Sequence, residues 1–297
     1  MSAARRTVVP GRSARTLRLR RELGTSVFIA VAGIALALPA HGDDTKKEPP
    51  APAAKEIAPA IAAPSSSTPT TPGAKLTYSD DKGTHTCKEQ AAQSFLIRGN
   101  WFPRTNDAEK VKEGRKLLDD AIKYRTEKYG YFEGFGSPKA NPHPPKFYAK
   151  TTTFMGMSVQ VHERIIPALK CVEAALNGGP AGAQYKPRAM GGIRFHNTYR
   201  GIEISNHVYG IAIDIEPDRN TCCGCVAPWP DHPLCKAKNK TVWERMAMPK
   251  SWVDTFERFG FYWLGHDVLQ DTMHFEFLGD PDKVLESSLP AGAVASP

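Results

Sequence analysis

At 297 residues the chain can hold one large domain or two small ones, and with 41% hydrophobic and 24% charged residues it has the composition of an ordinary soluble globular protein. Its formal charge of +8 would suit a nucleic-acid partner, but residues 1–40 carry seven arginines against the single acid Glu22 and hold +6 of that charge. The remainder is close to neutral, which excludes the basic stripe that a nucleic-acid-binding domain needs.

In chain order, the arginine-rich start leads into an apolar run from Val27 to Leu38, with small residues at Ala37 and Ala40. Charge, hydrophobic stretch and small-residue cleavage site in that order predict a signal peptide over residues 1–40, removed after Ala40. The apolar run is short for a membrane span, which takes about 20 residues, so no stable membrane insertion is expected after processing. No cysteine precedes Cys87 to take a lipid. The expected location is the periplasm or the medium. Residues 41–75 are rich in Pro, Ala, Ser and Thr and contain no aromatic residue. They cannot bury enough apolar surface to offset the entropy of ordering and are expected to form an extended linker.

The folded domain is expected over 76–289, with an N-terminal helical part (76–150), a catalytic core (151–289) and a tail at 290–297. Val111, Leu117, Leu118, Ile122 and Tyr124 have helical spacing and predict a surface helix over 106–128 that stops at Gly130. Val161, Ile165, Leu169, Val172 and Leu176 predict a second helix over 158–177, weakened near its start by Pro167. After it, ISNHVYGIAIDIE, FGFYWL and MHFEFL read as short strands, with a helix in MPKSWVDTFERFG that ends at Gly260. Helices first and strands mostly later indicate an α+β fold, a small antiparallel sheet packed with helices.

Six cysteines in an exported chain suit disulfides. Cys87 and Cys171 are isolated, and a bridge between them would staple the start of the domain to a helix. Cys222, Cys223, Cys225 and Cys235 crowd one stretch. They predict two further disulfides in preference to a zinc–thiolate cage, because CCGC is not a two-pair zinc spacing.

The chemistry concentrates in the last third. His207 and Asp214 lie seven residues apart with Gly210 between them, so a turn at the glycine can bring both side chains to one point. Ala212 alternates with Asp214 on a strand and leaves room on the same face. His274 supplies a third candidate ligand from the next strand. Two histidines and a carboxylate are a common ligand set for catalytic zinc, with one position left for water. Asp271, three residues before His274, is the candidate general base, since zinc acidifies water to a pKa near 7 and a carboxylate can pass the proton to a leaving amine. Glu276, on the same strand face as His274, is expected to orient a ligand imidazole.

These residues fill a pattern. Ser205, His207, Gly210, Ala212 and Asp214, followed by Asp271, His274, Phe275 and Glu276, resemble the D-alanyl-D-alanine carboxypeptidases of the vancomycin-resistance type and the phage endolysins that cut L-alanyl-D-glutamate bonds. The resemblance covers about residues 155–280. It implies a hedgehog-like/D-Ala-D-Ala-peptidase-like fold, zinc held by His207, Asp214 and His274, Asp271 as base, and peptidoglycan stem peptides as substrate. It also implies an upstream arginine that grips a substrate carboxylate. Arg200 is the first candidate, Arg194 the second, with Ser205 beside substrate or behind the ligands and His196 as a further contact. Carboxypeptidase and endopeptidase activity both fit. The competing function is a zinc-bearing binding or signalling module without turnover, like the similar amino-terminal domain of hedgehog proteins, and retention of Asp271 speaks against it.

Overall fold

The computed structural model describes residues 75–199, 202–237 and 240–289. The expected signal peptide and tail, the linker up to residue 74, and Arg200 lie outside these residues. Two strands open the described chain, β1 (Thr77–Asp80) and β2 (Gly83–Cys87), and α1 (Ala108–Tyr129) follows. Asp107 caps α1 by accepting from the Glu109 and Lys110 amides at 3.0 and 3.3 Å. The helix stops at Gly130, whose φ of +111° is costly for any residue with a Cβ and whose Cβ would meet the His143 carbonyl at 2.7 Å. The face that α1 buries is not centred on Leu117, Ile122 and Tyr124. Its buried stripe is Gly114, Leu118, Ala121, Arg125 and Tyr129, at spacings of three and four, and an arginine occupies the fourth place.

A hairpin comes next, β3 (Ala149–Phe154) and β4 (Met157–His162), followed by α2 (Ile166–Asn177). The helix expected over 158–177 therefore begins eight residues late. Residues 158–162 form strand because Val159 and Val161 alternate with exposed Ser158 and Gln160, a period of two that overrides the weaker period of 3.6. Pro167 stands in the first turn of α2, where its missing N–H has no partner to lose, so it starts the helix instead of weakening it.

Beyond the short helix α3 (Ala181–Gln184), β5 (Met190–Gly191) and β6 (Ala212–Ile215) enter the sheet that matters for function. It is completed, after α4 (Pro233–Lys236) and α5 (Lys250–Arg258), by β7 (Phe261–Trp263) and β8 (His274–Phe277). The strand order is β5-β6-β8-β7, antiparallel throughout. A last strand, β9 (Leu285–Leu289), joins β1 and β2 in a separate three-stranded sheet. Strands and helices alternate from the start, so the order is more mixed than helices first, while the class remains α+β.

Strand alternation divides the labour between the faces of β6 and β8. Ile213, Ile215, Phe275 and Phe277 are fully buried in the main core, where Phe275 stacks on Phe256 of α5 at 4.3 Å between ring centroids. Ala212, Asp214, His274 and Glu276 occupy the other face. Trp252 and Trp263 are also wholly buried and belong to this core.

All six cysteines are paired: Cys87–Cys171, Cys222–Cys225 and Cys223–Cys235. The first joins β2 to α2 across 84 residues of sequence. Closing a loop of that length in the unfolded chain is worth about 4–5 kcal/mol in the chain-entropy account. Replacing Cys87 and Cys171 together by serine is expected to lower the unfolding free energy by about that amount in a urea titration; a change below about 1 kcal/mol would show that the bridge constrains little.

Candidate metal and catalytic site

The chain from Ser205 to Gly210 folds into two overlapping turns, the Val208 amide bonding the Ser205 carbonyl and the Gly210 amide bonding the His207 carbonyl, both at 3.0 Å. Gly210 takes φ +69°, and a Cβ there would meet the His162 amide nitrogen at 2.8 Å. The glycine is thus required both by its conformation and by the closeness of β4. This turn returns His207 to β6, where Asp214 stands directly opposite His274 on β8 and Ala212 stands opposite Glu276. The small alanine leaves the space above the sheet to the functional side chains.

Three atoms converge. His207 Nε2 is 3.1 Å from Asp214 Oδ1 and 3.1 Å from His274 Nδ1, and His274 Nδ1 is 2.9 Å from Asp214 Oδ1. Among the described residues this His–Asp–His group is a possible metal site. The outer bonds decide which ring nitrogens are free. His207 Nδ1 lies 2.6 Å from the Gly192 carbonyl, which can only accept, so Nδ1 carries the proton and the Nε2 lone pair faces the cluster. His274 Nε2 lies 3.0 Å from Glu276 Oε1 and donates to that carboxylate, leaving Nδ1 as the nitrogen that faces the cluster. Two ring nitrogens and a carboxylate oxygen thus point at one place with mutual separations close to the roughly 3.3 Å edge of a tetrahedral zinc site with bonds near 2.0 Å. The donor set fits zinc.

The electrostatics of the cluster follow from burial against pairing. Burial alone would raise the Asp214 carboxyl, but His207 and His274 hold it far below the usual carboxylate range. Burial lowers the His207 imidazole. Burial opposes charge on His274 as well, yet the carboxylates of Asp214 and Glu276 on either side raise it well above its ordinary value. Arg194 Nη2 donates to Asp214 Oδ2, the oxygen turned away from the imidazoles. Arg194 is therefore engaged with a ligand carboxylate. Ser205, 2% exposed, has its Oγ 3.4 Å from the His207 amide and its own amide bonded to Asn197 Oδ1 at 3.0 Å. It sits behind the turn that carries His207.

Asp271 makes no direct bond to the three converging atoms, and among the described residues its buried Oδ1 has no hydrogen-bond partner. Burial, with Asp214 and Glu276 adding and His274 and Arg194 opposing, pushes its carboxyl up to about 6. A carboxylate so placed is ionised at neutral pH and still basic enough to accept a proton. The segment that carries it is braced by the cysteine-rich loop, which does lie beside the site: the Gly224 amide bonds the Leu269 carbonyl at 2.6 Å, the Thr272 amide bonds the Thr221 carbonyl at 3.0 Å, and Cys225 Sγ is 4.0 Å from Asp271 Oδ2. Cys222, Cys225 and Asp271 also converge. The two cysteines form a disulfide and have no thiolate to offer a metal.

Two residues beside the cluster escape a reading by motif. Asn206 lies beside the Glu276 carboxylate and favours its charge, and Arg125 bonds Asn206 from α1. The buried stripe of α1 that includes Arg125 is set by the packing of the helix and leaves no mark in the sequence pattern.

Residues 199–277 match a family model described as D-alanyl-D-alanine carboxypeptidase. The match contains His207, Asp214, His274, Asp271 and Glu276, and leaves out the described chain before Tyr199. No curated protein and no solved structure shows significant similarity to the chain.

Proposed function

From a chain whose residues 199–277 fall in the D-alanyl-D-alanine carboxypeptidase family, we propose a zinc-dependent hydrolase of peptide bonds in peptidoglycan stem peptides, acting as carboxypeptidase or endopeptidase. The observation that carries this reading is the convergence of His207 Nε2, Asp214 Oδ1 and His274 Nδ1, with tautomers set by Gly192 and Glu276, inside that matched segment. His207, Asp214 and His274 would hold zinc, which acidifies water and polarises a carbonyl. Asp271 takes the proton of the attacking water as the water oxygen bonds the scissile carbonyl carbon. The same carboxyl returns that proton to the amide nitrogen as the C–N bond breaks. Glu276 fixes the His274 ring, and Ser205 fixes the turn under His207. With Arg194 paired to Asp214, Arg200 is assigned to the substrate's carboxylate, a role that suits a planar guanidinium.

Export to the periplasm or medium is part of the proposal. Three disulfides suit an oxidising compartment, and among the described residues no helix is long and apolar enough to cross a membrane. The layout is a signal peptide over 1–40, a linker over 41–75, a peptidase domain over 76–289 and a tail.

Incubation of the purified zinc-loaded protein with defined muropeptides, with and without chelator, tests the reading by product mass. Chelator-sensitive loss of terminal D-alanine identifies a carboxypeptidase, and an internal cut an endopeptidase. Zinc-loaded protein that cleaves no stem peptide overturns the proposal in favour of a binding module.

A further inference from the structure

Behind Glu276 lies a chain of buried polar groups that leads out of the matched segment. Asn206 is 3% exposed and lies beside the Glu276 carboxylate, whose charge it favours. Its Oδ1 accepts from Arg125 Nη1 at 2.9 Å, so the amide nitrogen is the end left to face Glu276. Arg125 stands on α1, 81 residues earlier. It is 1% exposed, its Nε donates to the Ala121 carbonyl at 3.1 Å, and its guanidinium lies 4.9 Å from the ring centroid of Trp101 and 5.2 Å from that of Tyr209. No carboxylate bonds it directly; Glu276, one amide away, is the carboxylate whose charge acts on it. Its Nη2 has no hydrogen-bond partner.

A guanidinium buried in this way is costly, and a methionine would fill the same space without removing a charge from water. What the guanidinium does that methionine cannot is hold the Asn206 amide in one orientation and place a positive charge behind a buried carboxylate. The chain closes on Glu276 from both sides: Arg125 Nη1 donates to Asn206 Oδ1, the Asn206 amide faces the Glu276 carboxylate, and His274 Nε2 donates to Glu276 Oε1 at 3.0 Å. The last contact is the one that turns His274 Nδ1 toward His207 and Asp214. Partners one step behind a metal ligand fix its tautomer and ring orientation, and their loss typically weakens metal binding 10–100-fold.

We infer that Arg125 is a positioning residue of the metal centre, acting through Asn206 and Glu276 on the His274 imidazole, so that α1 is part of the site although it lies outside the family match. The inference rests on the reading of His207, Asp214 and His274 as metal ligands. It also gives the N-terminal part of the domain a role in the chemistry.

The test is zinc affinity by chelator competition in the full chain, together with the visible spectrum of the cobalt-substituted protein. Arg125→Met is expected to raise the zinc Kd about tenfold and to alter the cobalt bands. In a Glu276→Gln background, where the link to His274 is already weakened, the same change is expected to cost less than about threefold. Equal factors in the two backgrounds, or a lowered melting temperature with zinc affinity and cobalt spectrum unchanged, would reduce Arg125 to a structural residue and overturn the inference. Should Arg125→Met fail to fold, Asn206→Ala leaves the arginine's bond to Ala121 and both ring contacts in place; wild-type zinc affinity in that variant overturns the relay. Wild-type protein that binds no zinc overturns the metal reading itself, whereas equal binding by wild type and variants overturns the relay alone.

Discussion

Asp271→Asn is expected to lower turnover of a stem peptide by about 10²–10⁴-fold while zinc stays bound, because in the proposed mechanism the carboxyl carries the proton, and it makes no bond to the three converging atoms. The same substitution is expected to stabilise the metal-free protein at pH 8. The folded-state pKa is raised to about 6 from 3.8, so the ionised form is penalised by folding. For an acid shifted in this direction the penalty is absent below about pH 4, grows as pH rises through the window from 4 to 6, and is complete above it. Asparagine has the same shape and no charge, and removes a penalty of up to about 3 kcal/mol. Melting curves of the two proteins should therefore diverge above pH 6 and converge near pH 4. The groups facing Asp271 sharpen the kinetic expectation too: Asp214 and Glu276 raise it, His274 and Arg194 lower it, and a bound cation lowers it further. The acid limb of the pH–rate profile belongs at or below about 6. Loss of zinc together with activity in Asp271→Asn would make Asp271 a ligand, and unchanged turnover would remove it from the mechanism.

The site was more legible in the sequence than the elements around it, for a physical reason. His207, Asp214 and His274 are brought together by a glycine turn and a single cross-strand pairing, both local features that leave a mark in spacing, and Ala212 and Glu276 follow from strand alternation. The helix start at Ile166 was misplaced because Val159, Val161 and Ile165 satisfy helical and strand periods at once over so short a stretch, and the pairing with β3 that decides between them is a tertiary fact. Disulfide pairing was open among the four crowded cysteines, since spacing does not say which thiols meet. Arg125 was invisible for the opposite reason. Its partner Asn206 lies 81 residues away, and on a helix read as a surface element an arginine draws no attention. Only the packing of α1 with Leu96, Trp101 and Leu278, which brings Arg125 onto Asn206, turns a polar position into a buried one.

Removal of the metal is expected to abolish hydrolysis without unfolding the protein, and the two halves of that expectation have separate grounds. Acidifying water and polarising the carbonyl is worth several kcal/mol of transition-state stabilisation, so a chelated sample should lose activity by on the order of 10³-fold or more. One equivalent of zinc should restore it. The fold should survive because the ligands are positioned by bonds that do not involve the metal: His207 by the Gly192 carbonyl, His274 by Glu276, and Asp214 by Arg194 and its place in the centre of the sheet. Below them, Phe275, Phe277, Ile213 and Ile215 are fully buried in the core, and the three disulfides form without the metal. Far-ultraviolet circular dichroism should therefore be unchanged on chelation. Zinc in excess should raise the melting temperature only by the mass-action term, about 4 kcal/mol at a thousandfold excess over Kd. If hydrolysis persists in rigorously metal-free protein, His207, Asp214 and His274 are a hydrogen-bonded cluster and not a metal centre. If chelation instead unfolds the chain, the metal is structural, and the preorganisation ascribed to Gly192, Glu276 and Arg194 is too weak to hold the ligands alone.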